Sequence, residues 1–368
     1  GAEEIIQDQQ EKIEKVQSDG GPVEIEMDDQ GGAEISFDPN AATPEGGEEH
    51  FSNLAEFLDD GILSELAQNL SDKYTEYKES RSDWEQSYRE GLDLLGFKYQ
   101  RRTQPFRGAS SVTHPVLAEA VAQFQATAYK ELLPSDGPVR SQILGAITPA
   151  KQDQANRVKD FMNYQLMDQM KEYEPEFDQM LFYLPLAGST FKKVYYDDLL
   201  GRAVSKFVHS DDLVVPYSAT SLEDAEAIVH VIKMSENELR KQQVSGFYKD
   251  IDLGEPPMIE NQTTQKEQEL EGVTQNGMED QFTLLEFHMD LDLEGYEDLG
   301  EDGEPTGIKI PYIVTLDTAN TQILSIRRNY EAEDKLKKKV NYFVQFKFLP
   351  GTGFYGFGLI HMIGGLTR

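Results

Sequence analysis

The chain contains no cysteine. This excludes a disulfide framework, a thiolate metal site and a cysteine nucleophile, and it points towards an intracellular product. Positive charge is scarce: 34 Lys and Arg stand against 67 Asp and Glu, for a net charge of −33. Tight wrapping of nucleic acid needs clustered Lys and Arg to displace phosphate counterions, so that class is disfavoured. Nucleic acid passing nearby is compatible, because an acidic wall repels a phosphate backbone and prevents sticking. No apolar run reaches the ~20 residues that span a bilayer, and the acidic N-terminus is unlike a signal peptide. The sequence therefore reads as a soluble chain with no membrane partner. The motifs H-E-x-x-H, G-x-S-x-G and G-x-x-x-x-G-K-S/T are missing, and with them the zinc-protease, nucleophile-elbow and P-loop chemistries they mark.

What is present is unevenly spread. Residues 1–60 hold 18 acidic and two basic residues, about half of the excess negative charge. Such a segment cannot bury enough apolar surface to offset its ordering entropy, so residues 1–50 are expected to be a solvated, disordered acidic tail. The 19 Phe and 17 Tyr support a packed core further on.

Residues 51–97 are helical by pattern. Tyr77, Trp84, Tyr88, Leu92 and Leu95 line one face, and the charged remainder places that helix on the outside. A basic, glycine-bearing loop follows, then a helix with Thr113 or His114 at its cap and Pro115 in its first turn. Its expected stripe is Val116, Ala120, Phe124, Ala128 and Leu132. Thr148 and Pro149 open another helix, with Val158, Phe161, Met162, Leu166 and Met170 as its stripe. Pro175 is expected to break it before a further apolar helix over 178–188. From there the pattern changes to strands rich in Val, Tyr and Phe: 189–198, 202–216, 226–234, 282–293, 308–317, 321–330 and 340–348. Ser235 and Glu238 form a capping box for a short helix between strands. Residues 252–281 are polar and read as an inserted loop or linker. Helices first, then antiparallel strands with short turns, give an α+β class with outer helices on a mostly antiparallel β region. The domain boundaries are 1–50, 51–251, 252–281, 282–349 and 350–368.

Two motifs invite a chemical reading. "GTGFYG" (351–356) places Gly351, Gly353 and Gly356 in G-x-G-x-x-G between a strand and a helix, the context of a dinucleotide cradle. A doubly wound domain needs a further strand and an acidic residue ~20 positions on. Pro350, Phe354, Tyr355 and Phe357 also make a bulky loop for a pyrophosphate. A glycine-rich turn from sheet edge to helix accounts for it without a cofactor. Gly353, Gly356 and Gly358 would supply backbone freedom, and Phe354, Tyr355 and Phe357 would pack the turn. Leu359, Met362, Ile363 and Leu366 form the apolar stripe of the helix that follows.

The second motif, residues 290–301, matches a calcium loop at Asp290, Asp292, Glu294, Gly295 and Glu301. No helix enters it, however. Alternation of Leu285, Phe287, Met289, Leu291 and Leu293 with polar residues marks a half-buried strand with an exposed polar face. "HSDD" (209–212) sets His, Ser and Asp side by side, which a triad assembled from separate elements does not do. The cluster Lys98, Arg101, Arg102 and Arg107 reads as a contact to an acidic patch on a neighbouring subunit. "KLKKK" (335–339) reads as a surface turn. No catalytic, cofactor or metal site is assembled.

Three stretches carry a resemblance. They are "QPFRGASSVTHPVLAEAVAQFQATAYKELLP", then "FDQMLFYLPLAGSTFKKVYYDD" with "FVHSDDLVVPYSATSLEDAEAIVHVIKMSENELRK", and "LLEFHMDLDLEG" through "IPYIVTLDTANTQILSIRRNY" to "FVQFKFLPGTGFYGFGLIHMIGG". In that order they resemble the portal protein of tailed bacteriophages in its large podovirus-like form, over most of residues 100–368. The resemblance makes 51–349 the wing and 351–358 the corner leading into the first stem helix. The rest of the stem, the clip and any crown would follow residue 368. It implies a homo-oligomeric ring, usually of twelve subunits, at one capsid vertex of a virion assembled in the host bacterial cytoplasm. It implies contacts with the major capsid protein, terminase and tail adaptor proteins. Double-stranded DNA would pass through the channel without sequence recognition during packaging and ejection, with no catalytic activity in the ring itself. The alternatives are another head–tail connector protein, or a calcium- or nucleotide-binding enzyme resting on the two motifs above.

Overall fold

The computed structural model describes residues 24–27, 33–36, 50–95, 106, 115–197, 200–254, 266, 270, 281–300, 304–351 and 353–367. Lys98, Arg101, Arg102, Arg107, Thr113, His114 and Glu301 lie outside the described residues, as do most of the acidic tail and of segment 252–281. Contacts divide the chain into Gly1–Ser52 and Asn53–Arg368. In the first unit β1 (Glu24–Met27) pairs antiparallel with β2 (Ala33–Ser36). The tail expectation did not include this ribbon, whose strands alternate polar and apolar residues.

The second unit is α+β, with antiparallel sheets. Its helices are α1 (Asp60–Ser80), α2 (Ser82–Asp93), α3 (Val116–Leu132), α4 (Pro149–Tyr164) and α5 (Tyr173–Ala187). Strands β3 (Ser189–Asp197), β4 (Arg202–Val208), β5 (Leu213–Val214) and β6 (Ala227–Ser235) follow. Then come α6 (Glu236–Val244), β7 (Gln281–Leu291), β8 (Ile310–Asp317), β9 (Gln322–Arg328), β10 (Phe343–Lys347) and α7 (Leu359–Thr367). One sheet runs β10–β3–β4 and the other β5–β6–β7–β8–β9.

Helix α1 lays Leu63, Ala67, Leu70 and Tyr77 on the five-stranded sheet, against Val229, Leu285, Phe287, Tyr312, Val314 and Ile326. Its approach is fixed by buried Asn53, which bonds the Leu324 carbonyl and the Ile326 amide of β9 at 3.0 Å each. Helix α6 begins with the expected capping box, Ser235 and Glu238 bonding each other's backbone amides. Thr148 caps α4 with Pro149 in its first turn, also as expected.

Several expectations need correction. Most of 51–97 is helical as expected, but the face drawn through Tyr77 and Trp84 is interrupted at Arg81, which is turned inward between two helices. In α3 Phe124 and Ala128 of the expected stripe pack half-buried, but the fully buried residues are Leu117 and Val121, beside that stripe, and Leu132 is exposed. Pro175 does not break a helix. It sits in the first turn of α5, where a missing amide costs nothing, and the break falls at Met170 after a π turn over Gln165–Gln169. The strand read over 202–216 is split: Val208 ends in one sheet, and Leu213 begins again in the other. The polar side of β7 is exposed only towards and beyond its end: Asp290, Asp292 and Glu294 are exposed as expected, but Glu286 and His288 are not. Glu286 and His288 are buried because Lys193, Tyr342 and Phe343 of the smaller sheet region cover them.

That seam is an ion-paired cluster. Glu286 Oε1 lies 2.6 Å from Lys193 Nζ and 2.7 Å from His288 Nε2, with His230 Nδ1 at 3.8 Å. Burial opposes the Glu286 charge, but Lys193 and the two imidazoles outweigh it and hold the carboxyl well below its usual range. Burial pushes His230 down to about 4 and lowers His288 as well, so both are neutral at pH 7.

Candidate functional site: the glycine corner and its buried arginine

The chain leaves β10 through Phe348 and Leu349, turns over residues 350–358 and enters α7. Gly351, Gly353, Gly356 and Gly358 all lie in this turn, and none has a positive φ. The expected backbone freedom is therefore not what the corner uses. Close approach is. A Cβ on Gly358 would lie 2.2 Å from the Leu186 carbonyl oxygen, and one on Gly356 would lie 2.5 Å from the Gly188 carbonyl oxygen. Gly188 ends α5 at φ +89°, and its own Cβ would fall 2.4 Å from the Gly356 oxygen and the Gly358 nitrogen. Three glycines thus let two stretches of bare backbone touch. Gly353 is different: nothing lies within 4 Å of its missing Cβ. Gly351 meets only the Phe357 ring edge, at 3.0 Å, and the Tyr355 carbonyl at 3.3 Å.

Hydrogen bonds stitch the contact. The Gly356 amide donates to Ser189 Oγ at 2.7 Å, Phe357 N to Leu349 O at 2.8 Å, and Phe348 N to Gly188 O at 2.9 Å. Phe354 is buried, stacked on Phe191 at 5.7 Å, and its carbonyl accepts from Gln345 Nε2 at 2.9 Å. Phe357 does not pack as expected. It is 45 % exposed, with its ring edge against His361. In α7 the buried residue is Ile360, flanked by Leu359 and Ile363, while Met362 is exposed. The Leu366 side chain is outside the described residues. Ile360 sits directly on Gly91 of α2, where a Cβ would lie 2.3 Å from its branch methyl. Helix α7 is thereby held among α2, α3 and α5.

Tyr355 joins the corner to the outer helices. Its hydroxyl donates to the Leu213 carbonyl at 3.0 Å and accepts from Arg81 Nη1 at 2.8 Å. Its ring stacks on Trp84 at 4.5 Å. Arg81 is the hub. Its guanidinium also donates to Glu85 Oε1 at 2.8 Å, to the carbonyls of Ser210 (2.9 Å) and Leu213 (2.8 Å), and to the Asp211 carbonyl. Burial works against its charge, but Tyr355, Asp211 and Glu85 outweigh it and keep the group protonated. The planar fork serves several acceptors at once, as a lysine could not. So "HSDD" has a role, as the loop this arginine grasps through the Ser210 and Asp211 carbonyls and the Asp211 carboxylate at 3.6 Å, and not as a triad.

Sequence reasoning missed Arg81, although a signal existed. Arg81 follows Tyr77 by four and precedes Trp84 by three, so a charge sits on the apolar stripe. A charge there is buried only with partners.

Among the described residues, the other sequence motifs are not assembled into a site, and the Glu286 cluster is the further convergence of titratable groups. Asp290 lies one residue before the end of β7 and Gly295 turns at φ +85°, but Asp298 is committed to Lys337 and Thr306. "KLKKK" is a surface turn, with Lys337 at positive φ. Lys192, lowered to about 8 chiefly by burial, lies 4.3 Å over the Tyr173 ring with Ser205 Oγ at 3.3 Å, a cation held by aromatic faces beneath α5. Among the described residues no group of three or more His, Asp or Glu is placed to hold a metal ion, and no helix is long and apolar enough to cross a membrane.

The site belongs to the class of structural corners: a sheet edge handed to a helix through closely apposed, hydrogen-bonded backbone. No protein-family model matches the chain, and no curated protein matches it.

Proposed function

We propose that the chain is a portal subunit of a tailed bacteriophage, one of a ring of identical copies at a capsid vertex. The observation that carries the reading is the corner. A wing of outer helices and antiparallel strands hands the chain, through a turn whose backbone is pressed and bonded against Gly188 and Ser189, to an apolar helix. A stem helix that must hold its angle to a wing while DNA moves past needs such a joint, rather than a hinge. The composition supports it too. A net charge of −33 lets a phosphate backbone slide by without sticking.

In this reading the ring, twelve-fold in the usual case, is the conduit for double-stranded DNA during packaging and ejection. Terminase and the tail adaptors dock on it in turn, and the major capsid protein surrounds it. The subunit is a structural protein of the virion and not an enzyme. Negative-stain images of the purified protein are expected to show rings with a central hole. Monodisperse monomers under every assembly condition, or hydrolysis of a nucleotide, would overturn the reading.

A further inference from the structure

The clearest unexplained surface is helix α4 with the loop before it. The pattern is amphipathic, yet α4 has no buried residue. Leu144 and Ile147 before the helix are 85 % and 71 % exposed, and Val158, Phe161, Met162 and Tyr164 are all exposed. Val158, Phe161 and Met162 share one face by their spacing of three and four. A 16-residue helix gains little stability in water from its backbone alone, so an uncovered apolar face of this size marks a contact.

Residues 140–164 carry four basic side chains, Arg140, Lys151, Arg157 and Lys159, against two acidic ones, Asp153 and Asp160. Arg140, Lys151 and Arg157 are exposed, Asp160 pairs with half-buried Lys159, and Arg157 precedes Phe161 by one helical turn. In a chain of net charge −33 this is an unusual place. The opposite surface is carried by the same chain. Along α1 and α2, Glu65, Asp72, Glu76, Glu79, Asp83 and Glu90 are exposed, whereas Lys73, Lys78 and Arg89 are half-buried and Arg81 is buried. Two copies of so acidic a chain repel one another unless their contact joins opposite charges. The arm and the α1–α2 face supply those two halves on different elements.

We infer that α4 and residues 140–147 dock on the acidic α1–α2 face of a second copy, with the apolar stripe buried and Arg140, Lys151 and Arg157 ringed around it. The two patches differ, so the contact is heterologous. Such contacts propagate head to tail and close into a ring when the rotation permits, instead of stopping at a two-fold dimer. This rests on the ring reading and names its subunit contact. A nucleic acid would meet the arm's cations but leave the stripe uncovered.

The absence of cysteine makes the test clean. In the full chain, a Phe161→Cys thiol is expected to react with a maleimide at least tenfold more slowly in rings than in dissociated subunits. Phe161→Asp with Arg157→Glu is expected to leave monomers by light scattering, with circular dichroism and Trp84 emission unchanged. Phe161→Cys rings in which the thiol stays fully reactive, or rings from the double variant, remove this contact and leave the ring reading standing. Protection of the thiol by duplex DNA instead of by assembly also removes it. A wild-type chain that is only ever monomeric removes the ring reading and the contact together.

Discussion

An alanine at position 358 would set its Cβ 2.2 Å from the Leu186 oxygen and 2.7 Å from the Gly188 nitrogen. Both are backbone atoms, so no side chain can swing aside. Ordinary contact begins near 3.4 Å, and the two strands of backbone must therefore separate by about 1 Å. Overpacking of this kind costs about 1–3 kcal/mol. Separation also stretches the Phe348 N–Gly188 O and Gly356 N–Ser189 Oγ bonds, for about 1 kcal/mol each. Gly358→Ala is thus expected to lose about 3–5 kcal/mol. Gly353→Ala is the control. Its Cβ enters open space at a φ that is not positive, and fewer unfolded conformers give a change of under about 1 kcal/mol, towards stability. Urea unfolding followed by Trp84 emission reads the corner directly, because the one tryptophan stacks on Tyr355. Equal midpoints for the two variants would refute the close-approach argument. So would a larger loss for Gly353→Ala.

Arg81→Met should cost about 3–5 kcal/mol, because Glu85 and a set of carbonyls lose a buried partner. Trp84 emission should shift to the red, and Arg81→Lys should recover only part of the urea midpoint. The Glu286 cluster sets an acid limit. His230 has a folded pKa of about 4 against 6.5, so the unfolded chain binds more protons between those values. Stability is then full above pH 6.5 and lost as pH falls to 4. Glu286, depressed when folded, adds a loss at lower pH still. His230→Phe should flatten the decline between pH 6.5 and 4 by roughly 1–3 kcal/mol, measured by urea midpoints across that range. An unchanged slope would assign the decline to other groups.

The α+β class, the strand positions and the two helix caps were readable because each rests on neighbours within four residues. Thr148 with Pro149, and Ser235 with Glu238, fold as their local chemistry dictates. What failed was whatever depended on a second layer. β7 alternates like a strand with one wet face, and Asp290 is exposed, but the smaller sheet covers the middle of that face, and Glu286 and His288 go inside with Lys193. The fully buried residues of α3 lie beside the expected stripe for a related reason: small residues such as Ala120 and Ala128 leave the register open until a partner helix selects it.

The corner shows the division most clearly. The sequence alone determined that residues 350–358 turn the chain from a strand into a helix, since Pro350 and clustered glycines permit little else. It could not say which glycines matter. Gly188 lies more than 160 positions earlier, and only the folded chain presses its backbone onto Gly356 and Gly358. The same holds for Arg81, whose acceptors come from residues 85, 210–213 and 355. Local periodicity records which side of an element is apolar. Which atoms then meet is decided by tertiary packing, because distance along the chain carries no information about contact at 3 Å.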